Sequence, residues 1–404
     1  MAKKALIMVE WSRGNGPLYV QAAQDLGLYP IALAAHPTES DCIAAKGIDV
    51  VRVNTDHLDE LIRECSRLGE IYDIAGITGF AGDNELVSAT VGKLCRHFDL
   101  PGPVPESVER CCDKFLQRQL LAEAGVPIPA YRLAANMADV ERSAADIGLP
   151  VIIKPAAGIG SSGVRLCRNI DELVEHATYL LGGNHIWRSS PRILVEEFAQ
   201  GPHYVANIMG NEVIAIAAAE FGPPPHFVFR KFTFPAPLTD YQYKGITEVS
   251  LSCLRALDLG WGPTCIEIRW TNRGPVVIEV NPRMPGGGDP KMIQLAYGVD
   301  LVTEHLKLVI GEERDLRETH SQTVVAWSLL PDRDGIIDSI DGGSRAAAVP
   351  GVVEVKLHVK PKMPIIRKGD FRDPIGYVVA VSPSRAESEA ILQRAVNLIS
   401  WSIT

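Results

Sequence analysis

The feature that most constrains the fold of this chain is an alternation within its first hundred residues. Short apolar runs at Ala5–Val9, Pro30–Ala35, Asp49–Val53 and Ile74–Thr78 enclose amphipathic stretches at Gly16–Gly27 and His57–Leu68, and Asp83–Phe98 follows with the same helical period. Apolar runs this short fit buried strands, and strands that alternate with helices build a parallel sheet covered on both faces. The pattern stops at Leu100-Pro-Gly-Pro-Val-Pro105, where prolines and a glycine interrupt either regular element. An N-terminal α/β domain over 1–105 is therefore expected. The remainder of a 404-residue chain exceeds a single core, so a central unit over 106–200 and a C-terminal unit over 201–404 are expected as well.

In the central unit the spacing predicts one helix from Glu106 to Ala124, with Val108, Cys112, Phe115 and Leu116 on one face, ended by Gly125 and Pro127. Strands follow at Pro150–Lys154, Val164–Cys167 and Ile193–Phe198, with a helix at Asp171–Leu181 and a polar loop at Gly182–Pro191. In the C-terminal unit Val205–Ala218 reads as a hairpin turning at Gly210-Asn211. Phe221–Pro237, rich in proline and aromatics, fits no regular element, which in a compact domain points to a functional or disordered segment. Helices are expected at Glu248–Leu257 and Val299–Val309, and paired strands at Thr264–Trp270 and Pro275–Asn281 around Asn272-Arg273-Gly274. The end of the chain carries strands near Val324–Leu330, Gly351–Val359 and Gly376–Ser382, then a helix near Ala386–Ile399.

Charge and thiol usage exclude several classes. A net charge of −9 gives no electrostatic reason to expect nucleic acid or an anionic membrane as partner. The eight cysteines form no C-x-x-C pair and no zinc-spaced cluster. The apolar run after the N-terminus is ended by Glu10 and is too short for a signal peptide, and no stretch is long enough to span a bilayer. A soluble, cytoplasmic protein is the expectation.

Four constellations could carry chemistry. In Val151-Ile-Ile-Lys-Pro-Ala-Ala-Gly-Ile-Gly-Ser-Ser-Gly163 a strand delivers Lys154 into a loop containing Gly158, Gly160, Ser161, Ser162 and Gly163. Backbone amides of such a loop can cradle phosphate beside a lysine, and a plain glycine turn with a surface lysine has the same composition. In Glu267-Ile-Arg269 and Val277-Ile-Glu-Val-Asn-Pro-Arg283, Glu279 and Asn281 lie two apart on one strand face, and hairpin pairing can bring Glu267 alongside. Three oxygen ligands on one face suit a hard cation such as magnesium; the alternative is a solvated strand face. Arg283 leans to the same side. Gly286, Gly287 and Gly288, before Asp289, permit close approach of a small substrate or simply make a flexible connection. Gly14-Asn-Gly16 after the first strand matches only part of a dinucleotide-binding fingerprint.

In order and separation, these segments resemble the ATP-grasp superfamily. The match runs through Asp113-Lys-Phe-Leu-Gln-Arg118, Ala124-Gly-Val-Pro-Ile-Pro129, Val151–Gly163, Leu194-Val-Glu-Glu-Phe-Ala-Gln-Gly201 and the Glu267/Glu279/Asn281/Arg283 set. The resemblance implies an ATP-grasp fold of class α/β with α+β subdomains: an N-terminal parallel-sheet domain, a small central lid and a C-terminal antiparallel-sheet domain. It implies that Lys114 and Lys154 hold ATP phosphates, that Gly158–Gly163 closes over them, and that Glu196, Glu197, Phe198 and Ala199 form the adenine hinge. Glu267 and Glu279, with Asn281, resemble ligands of magnesium, for which manganese is an acceptable substitute. Arg283 resembles the residue that steadies the phosphate in transit. Relatives often place an acidic ribose ligand where this chain has His203.

Within the superfamily the likeness is closest to L-amino acid ligases, including those of peptide-antibiotic pathways, on Glu279-Val-Asn-Pro-Arg-Met-Pro-Gly-Gly-Gly288, Phe232-Thr-Phe-Pro-Ala-Pro237 and Pro350-Gly-Val-Val-Glu-Val355. The implied reaction joins a carboxylate and an amine through an acyl phosphate, releasing ADP and phosphate. Its substrates would be small molecules, amino acids or acylated amino acids, with His226, Arg230, Lys231 and Gly286–Gly288 as candidate contacts; the first three could equally be solvated loop residues. Dimers are common in such enzymes, which leaves a homodimer open. A bicarbonate-using ATP-grasp carboxylase and a non-catalytic nucleotide-binding protein are the competing expectations.

Overall fold

The structure is a computed structural model that describes residues 2–12, 14–36, 48–80, 86–182, 192–286 and 288–404. The first residues expected of the Asp83–Phe98 helix, nearly all of the 182–191 loop and Gly287 lie outside the described residues.

The N-terminal alternation folds as its pattern requires. Strands β1 (Lys4–Val9), β2 (Tyr29–Ala34), β3 (Asp49–Arg52) and β4 (Asp73–Gly79) make a parallel sheet in the order β3-β2-β1-β4. Helices α1 (Gly16–Asp25), α2 (Leu58–Gly69) and α3 (Val87–His97) cover it. The sheet order reverses between β1 and β4, the position at which open α/β sheets leave a crevice.

The expected Glu106–Ala124 helix is two helices, α4 (Pro105–Cys112) and α5 (Lys114–Glu123). Asp113 separates them, with extended backbone and a carboxylate that accepts from the amides of Phe115 (2.9 Å) and Leu116 (3.1 Å). A side-chain cap of this kind competes with helix continuation and starts a new axis. The face expected from a single period is therefore not kept: Leu116 is exposed, and the buried face of α5 is Lys114, Gln117, Arg118 and Leu121.

Strands β5 (Tyr131–Ala134), β6 (Val151–Pro155), β7 (Arg165–Cys167) and β8 (Ile193–Glu197) make a four-stranded sheet in the order β5-β8-β6-β7, backed by α6 (Met137–Ile147) and α7 (Ile170–Leu181). The remainder is organised on an eight-stranded sheet built from β9 (His203–Met209), β10 (Glu212–Phe221), β11 (Phe229–Phe234), β12 (Pro263–Thr271), β13 (Gly274–Asn281), β14 (Thr323–Leu329), β16 (Val352–Leu357) and β18 (Gly376–Ser382). Its order is β13-β12-β9-β10-β11-β14-β18-β16. Strand β11 corrects the expectation that 221–237 is irregular throughout. Prolines on both flanks mask a short strand that pairs with β10 and β14 in mid-sheet. Helix α8 (Asp240–Leu257) begins before the expected Glu248 because Thr239 and Gln242 form a capping box.

Helices α9 (Asp289–Tyr297) and α10 (Leu301–Val309) pack the sheet onto the N-terminal unit. The last section adds β15 (Gly335–Asp341), β17 (Pro364–Ile365) and β19 (Ser400–Ile403) in a three-stranded sheet, with α11 (Gly343–Ala347) and α12 (Arg385–Val396). One continuous core joins Leu6, Met8 and Tyr19 of the N-terminal unit to Val205, Met209, Met284 and Ile293. No helix of the described residues is long and apolar enough to cross a membrane.

Candidate active site

Strand β13 is the edge of the eight-stranded sheet, and the segment around α5 satisfies its outer backbone groups. Gln117 Nε2 donates to Val280 O at 2.9 Å, and Val280 N donates back to Gln117 Oε1 at 3.0 Å. Arg118 donates to Ile278 O, and Val277 N donates to Pro127 O at 2.9 Å. An edge strand normally exposes these groups; here their pairing fixes the register of α5 on β13. Lys114, at the start of the same helix, is thereby brought to Glu279: Nζ lies 2.6 Å from Glu279 Oε1 and 2.6 Å from Gly158 O.

One buried set of charges sits between α5, β6 and β8. Glu196 Oε2 is 2.6 Å from Lys154 Nζ, and Glu196 Oε1 is 2.7 Å from Arg118 Nε. All three residues are almost fully buried. Burial opposes the charge of Glu196, yet Arg118 and Lys154 outweigh it and hold the carboxyl below its ordinary value. For Lys154 burial dominates and lowers the ammonium's pKa, with Glu196 pulling the other way. The Glu196 side chain is thus engaged in holding Lys154 and Arg118.

A second set lies on one face of the β12–β13 hairpin. The register sets Glu267 directly opposite Glu279 and Cys265 opposite Asn281, with a bulge at Ile278. The pairing expected from period-two spacing is what the structure shows. Two carboxylates in opposed positions repel each other. Burial raises the cost of charge on Glu279, but Lys114, Lys154 and Arg283 hold its carboxyl below the ordinary value. His203 on β9 is buried and faces Glu267 at 3.3 Å, its ring edge-on to Phe221 at a centroid distance of 4.9 Å. Burial lowers its pKa, so it is neutral near pH 7. Among the described residues no group of three or more His, Cys, Asp or Glu side chains is placed to hold a metal. The donor set of two carboxylates and the Asn281 amide, all oxygen, nevertheless fits magnesium when phosphate and water oxygens complete the shell.

The glycine-rich loop lies against the C-terminal section. Phe371 N donates to Gly160 O at 3.2 Å, and a Cβ on Gly160 (φ +61°) would fall 2.3 Å from the Phe371 ring. Ser161 and Gly163 also adopt positive φ, and Ser162 is buried. In the hinge, Glu197 pairs with Arg273 at 2.5 Å and its amide donates to Ala130 O; Phe198 packs against Phe227 at 6.2 Å, and Ala199 is buried.

The expected substrate contacts separate. Lys231 is paired with Glu389 at 2.9 Å and Glu220 at 3.4 Å, and Arg230 lies over Trp327 at 4.6 Å. His226 packs against Gly369. None of the three hydrogen-bonds or ion-pairs with Lys114, Lys154, Glu267 or Glu279. Gly286, by contrast, comes three residues after Arg283, and Asn15 of the N-terminal unit donates to Pro285 O, just before it, at 2.9 Å. A cavity of about 70 Å³ lies beside it, lined by Tyr19, Arg283, Met284 and His305 among others.

Sequence reasoning gave no role to Arg118 or Gln117. Their spacing from Lys114, three and four residues along one helix, was the available signal, but it became readable only with the helix break at Asp113.

The sequence model of the family described as carbamoyl-phosphate synthase L chain, ATP binding domain, matches residues 113–318, and that of L-amino acid ligase C-terminal domain 2 matches residues 327–404. The chain belongs to the ATP-grasp superfamily. Uncharacterized protein y4rH of Sinorhizobium fredii is 60% identical over 402 residues, covering 100% of this chain and 84% of that protein. In fold, this ATP-grasp chain is similar to the crystal structure of an L-amino acid ligase from Bacillus licheniformis, with TM-score 0.81 and 18% identity over 100% of both chains. The biotin carboxylase domain of 2-oxoglutarate carboxylase from Hydrogenobacter thermophilus, crystallised with MgADP, ADP and bicarbonate, is similar at TM-score 0.70 and 18% identity, over 100% of this chain and 91% of that one.

Proposed function

We propose that the protein is an ATP- and magnesium-dependent carboxylate–amine ligase that joins an amino acid or acylated amino acid to an amine, through an acyl phosphate, with release of ADP and phosphate. The observation that carries the reading is the opposed pair Glu267 and Glu279, tied by Lys114 to the glycine-rich loop. Phosphoryl transfer needs charge neutralisation and alignment rather than a protein nucleophile, and this cluster supplies both. Lys114 and Lys154 place positive charge where phosphates would lie under residues 158–163. Glu267, Glu279 and Asn281 would hold magnesium, which when bound neutralises phosphate charge. Arg283 stands at the end of the same strand, where it would steady the phosphate passing to the substrate carboxylate. The loop, seated against Phe371, would keep water from the acyl phosphate until the amine attacks the carbonyl and phosphate leaves. The match of residues 327–404 to an L-amino acid ligase domain supports an amide product over a carboxylated one.

The test is ADP and phosphate release over a matrix of amino acids and amines, with mass spectrometry of the products. An amide product is expected. ADP release stimulated by bicarbonate in the absence of amino acids would replace the reading with a carboxylase.

A further inference from the structure

The cavity beside Arg283 has no part in the reaction scheme so far. It holds about 70 Å³, and Lys114, Lys154, Glu267, Glu279 and Asn281 do not line it. Arg283 is the one residue that its wall shares with the proposed reacting centre. The inner wall includes Tyr19, Thr78, Val91 and His305, all buried. The outer rim includes Val104, Asp258 and Gly260, all exposed. The cavity therefore leads from solvent to Arg283, between the N-terminal unit and the segment 258–263.

Its lining is polar but carries little charge. Thr78 and Ser88 contribute hydroxyl residues. Tyr19 Oη and His305 Nδ1 lie 2.6 Å apart, and burial lowers the His305 pKa to about 4, so the ring is neutral near pH 7. The charged residues are Arg283 at the inner end and Asp258 at the rim. Polar cavities of sufficient size are filled rather than dry. One water needs roughly 10–15 Å³ of such space, so about 70 Å³ admits about five waters, or a ligand of about five to seven non-hydrogen atoms.

We infer that this cavity is the subsite of the attacking amine, and that its size restricts the enzyme to small amines, of the dimensions of glycine or alanine. The inference rests on the ligase reading above. On that reading the acyl phosphate forms at Arg283, so an amine held at the inner end is placed to attack it. The C–N bond forms, the C–O bond to phosphate breaks with its electron pair leaving on phosphate, and the proton lost by nitrogen goes to the departing phosphate. The amine must be uncharged to attack, and the Arg283 cation beside it disfavours the ammonium form. Asp258 at the rim attracts that ammonium from solvent before its extra proton is released. A larger side chain meets Val91 and Val108, both buried in the wall.

The experiment uses the full chain with MgATP and an acid that supports ADP release with hydroxylamine, and varies only the amine. Amide formation from glycine, alanine, leucine and phenylalanine is followed by mass spectrometry. The wild type should use glycine or alanine about tenfold better than leucine or phenylalanine in kcat/KM. Helix α3 offers two substitutions of opposite sense, because Ser88 and Val91 lie three apart on the face that lines the cavity. Ser88→Leu fills the space and should lower kcat/KM for glycine about tenfold more than for hydroxylamine. Val91→Ala enlarges it and should raise kcat/KM for leucine relative to glycine about fivefold. A wild-type preference for leucine or phenylalanine overturns the proposal while the ligase reading stands. So does an amine ranking that neither variant changes. Should Ser88→Leu not fold, Val91→Ala decides alone, and an unchanged ratio of leucine to glycine overturns the proposal. If no acid yields ADP with hydroxylamine, the ligase reading itself fails and the amine subsite falls with it.

Discussion

The Lys154–Glu196–Arg118 set and the Glu267–Glu279–Asp289 set bury charge in opposite ways. In the first, one carboxylate lies between two cations at 2.6 and 2.7 Å, so its charge is balanced within the protein, although Arg118 Nη1 has no partner among the described residues. In the second, two carboxylates are forced opposite each other by strand register and a third has no partner among the described residues. A complete buried set gives the fold a rigid frame. The second set is offset only in part, by Lys114 at 2.6 Å from Glu279, and under the proposed function a cation would complete it. The contrast separates what positions this site from what binds in it.

Neutralising the incomplete set should have the largest effect on turnover. Glu279→Gln keeps the shape and a hydrogen-bond acceptor for Lys114 but removes one of the opposed charges, and is expected to lower kcat for ADP release by about 10³-fold. A melting temperature within a few degrees of wild type would show that the loss is chemical. Near-normal turnover would remove Glu279 from the magnesium set.

The stability of the ligand-free protein provides the next contrast. Asp289 has a folded value of about 7 against an ordinary 3.8, so between those values the folded form holds a proton that the unfolded form has released. Stability is therefore subtracted as pH rises from about 4 to 7, and the full loss stands above pH 7. Asp289→Asn should gain up to about 4 kcal/mol at pH 8 and little at pH 4, measured by urea unfolding in EDTA. Glu196 has the opposite sign: its lowered value contributes stability that is present at neutral pH and is lost as pH falls through the folded value.

Breaking the complete set should cost stability at neutral pH instead. Arg118→Met leaves Glu196 with one cation and Ile278 O without its donor, and is expected to destabilise by about 3 kcal/mol in urea unfolding. A smaller effect is expected where the loop closes. Gly160→Ala adds a Cβ against Phe371 at positive φ, costing about 1–2 kcal/mol and raising KM for ATP severalfold, with Phe371→Ala relieving part of the defect. If the double variant is no better than the single, the loop does not rest on Phe371 in solution.

Much of this was legible before any coordinates. Period two placed Glu279 and Asn281 on one face, and the hairpin spacing supplied Glu267 as their neighbour. What escaped notice did so for identifiable reasons. The Phe229–Phe234 strand is short and flanked by prolines, so no alternation long enough to read survives around it. Arg118 looks like one more polar residue on a helix, and its burial depends on Asp113 turning that helix. Asn207 lies in a strand whose apolar pattern gives no sign that its amide lacks a partner. Of the candidate substrate contacts His226, Arg230 and Lys231, β11 sets Lys231 against Glu389 and Arg230 over Trp327, contacts that depend on strand pairing and cannot be read along the chain.

By itself the sequence determined the elements and the local juxtapositions, because hydrophobic period, glycine and proline placement and strand alternation act over a few residues. That was enough to place Glu267 against Glu279 and to put Lys154 before a glycine loop. Only the tertiary structure decided which charges are satisfied. Whether a carboxylate is paired depends on groups distant in the chain, as with Glu196 and Arg118, and burial makes each such pairing, or its absence at Asp289, energetically decisive.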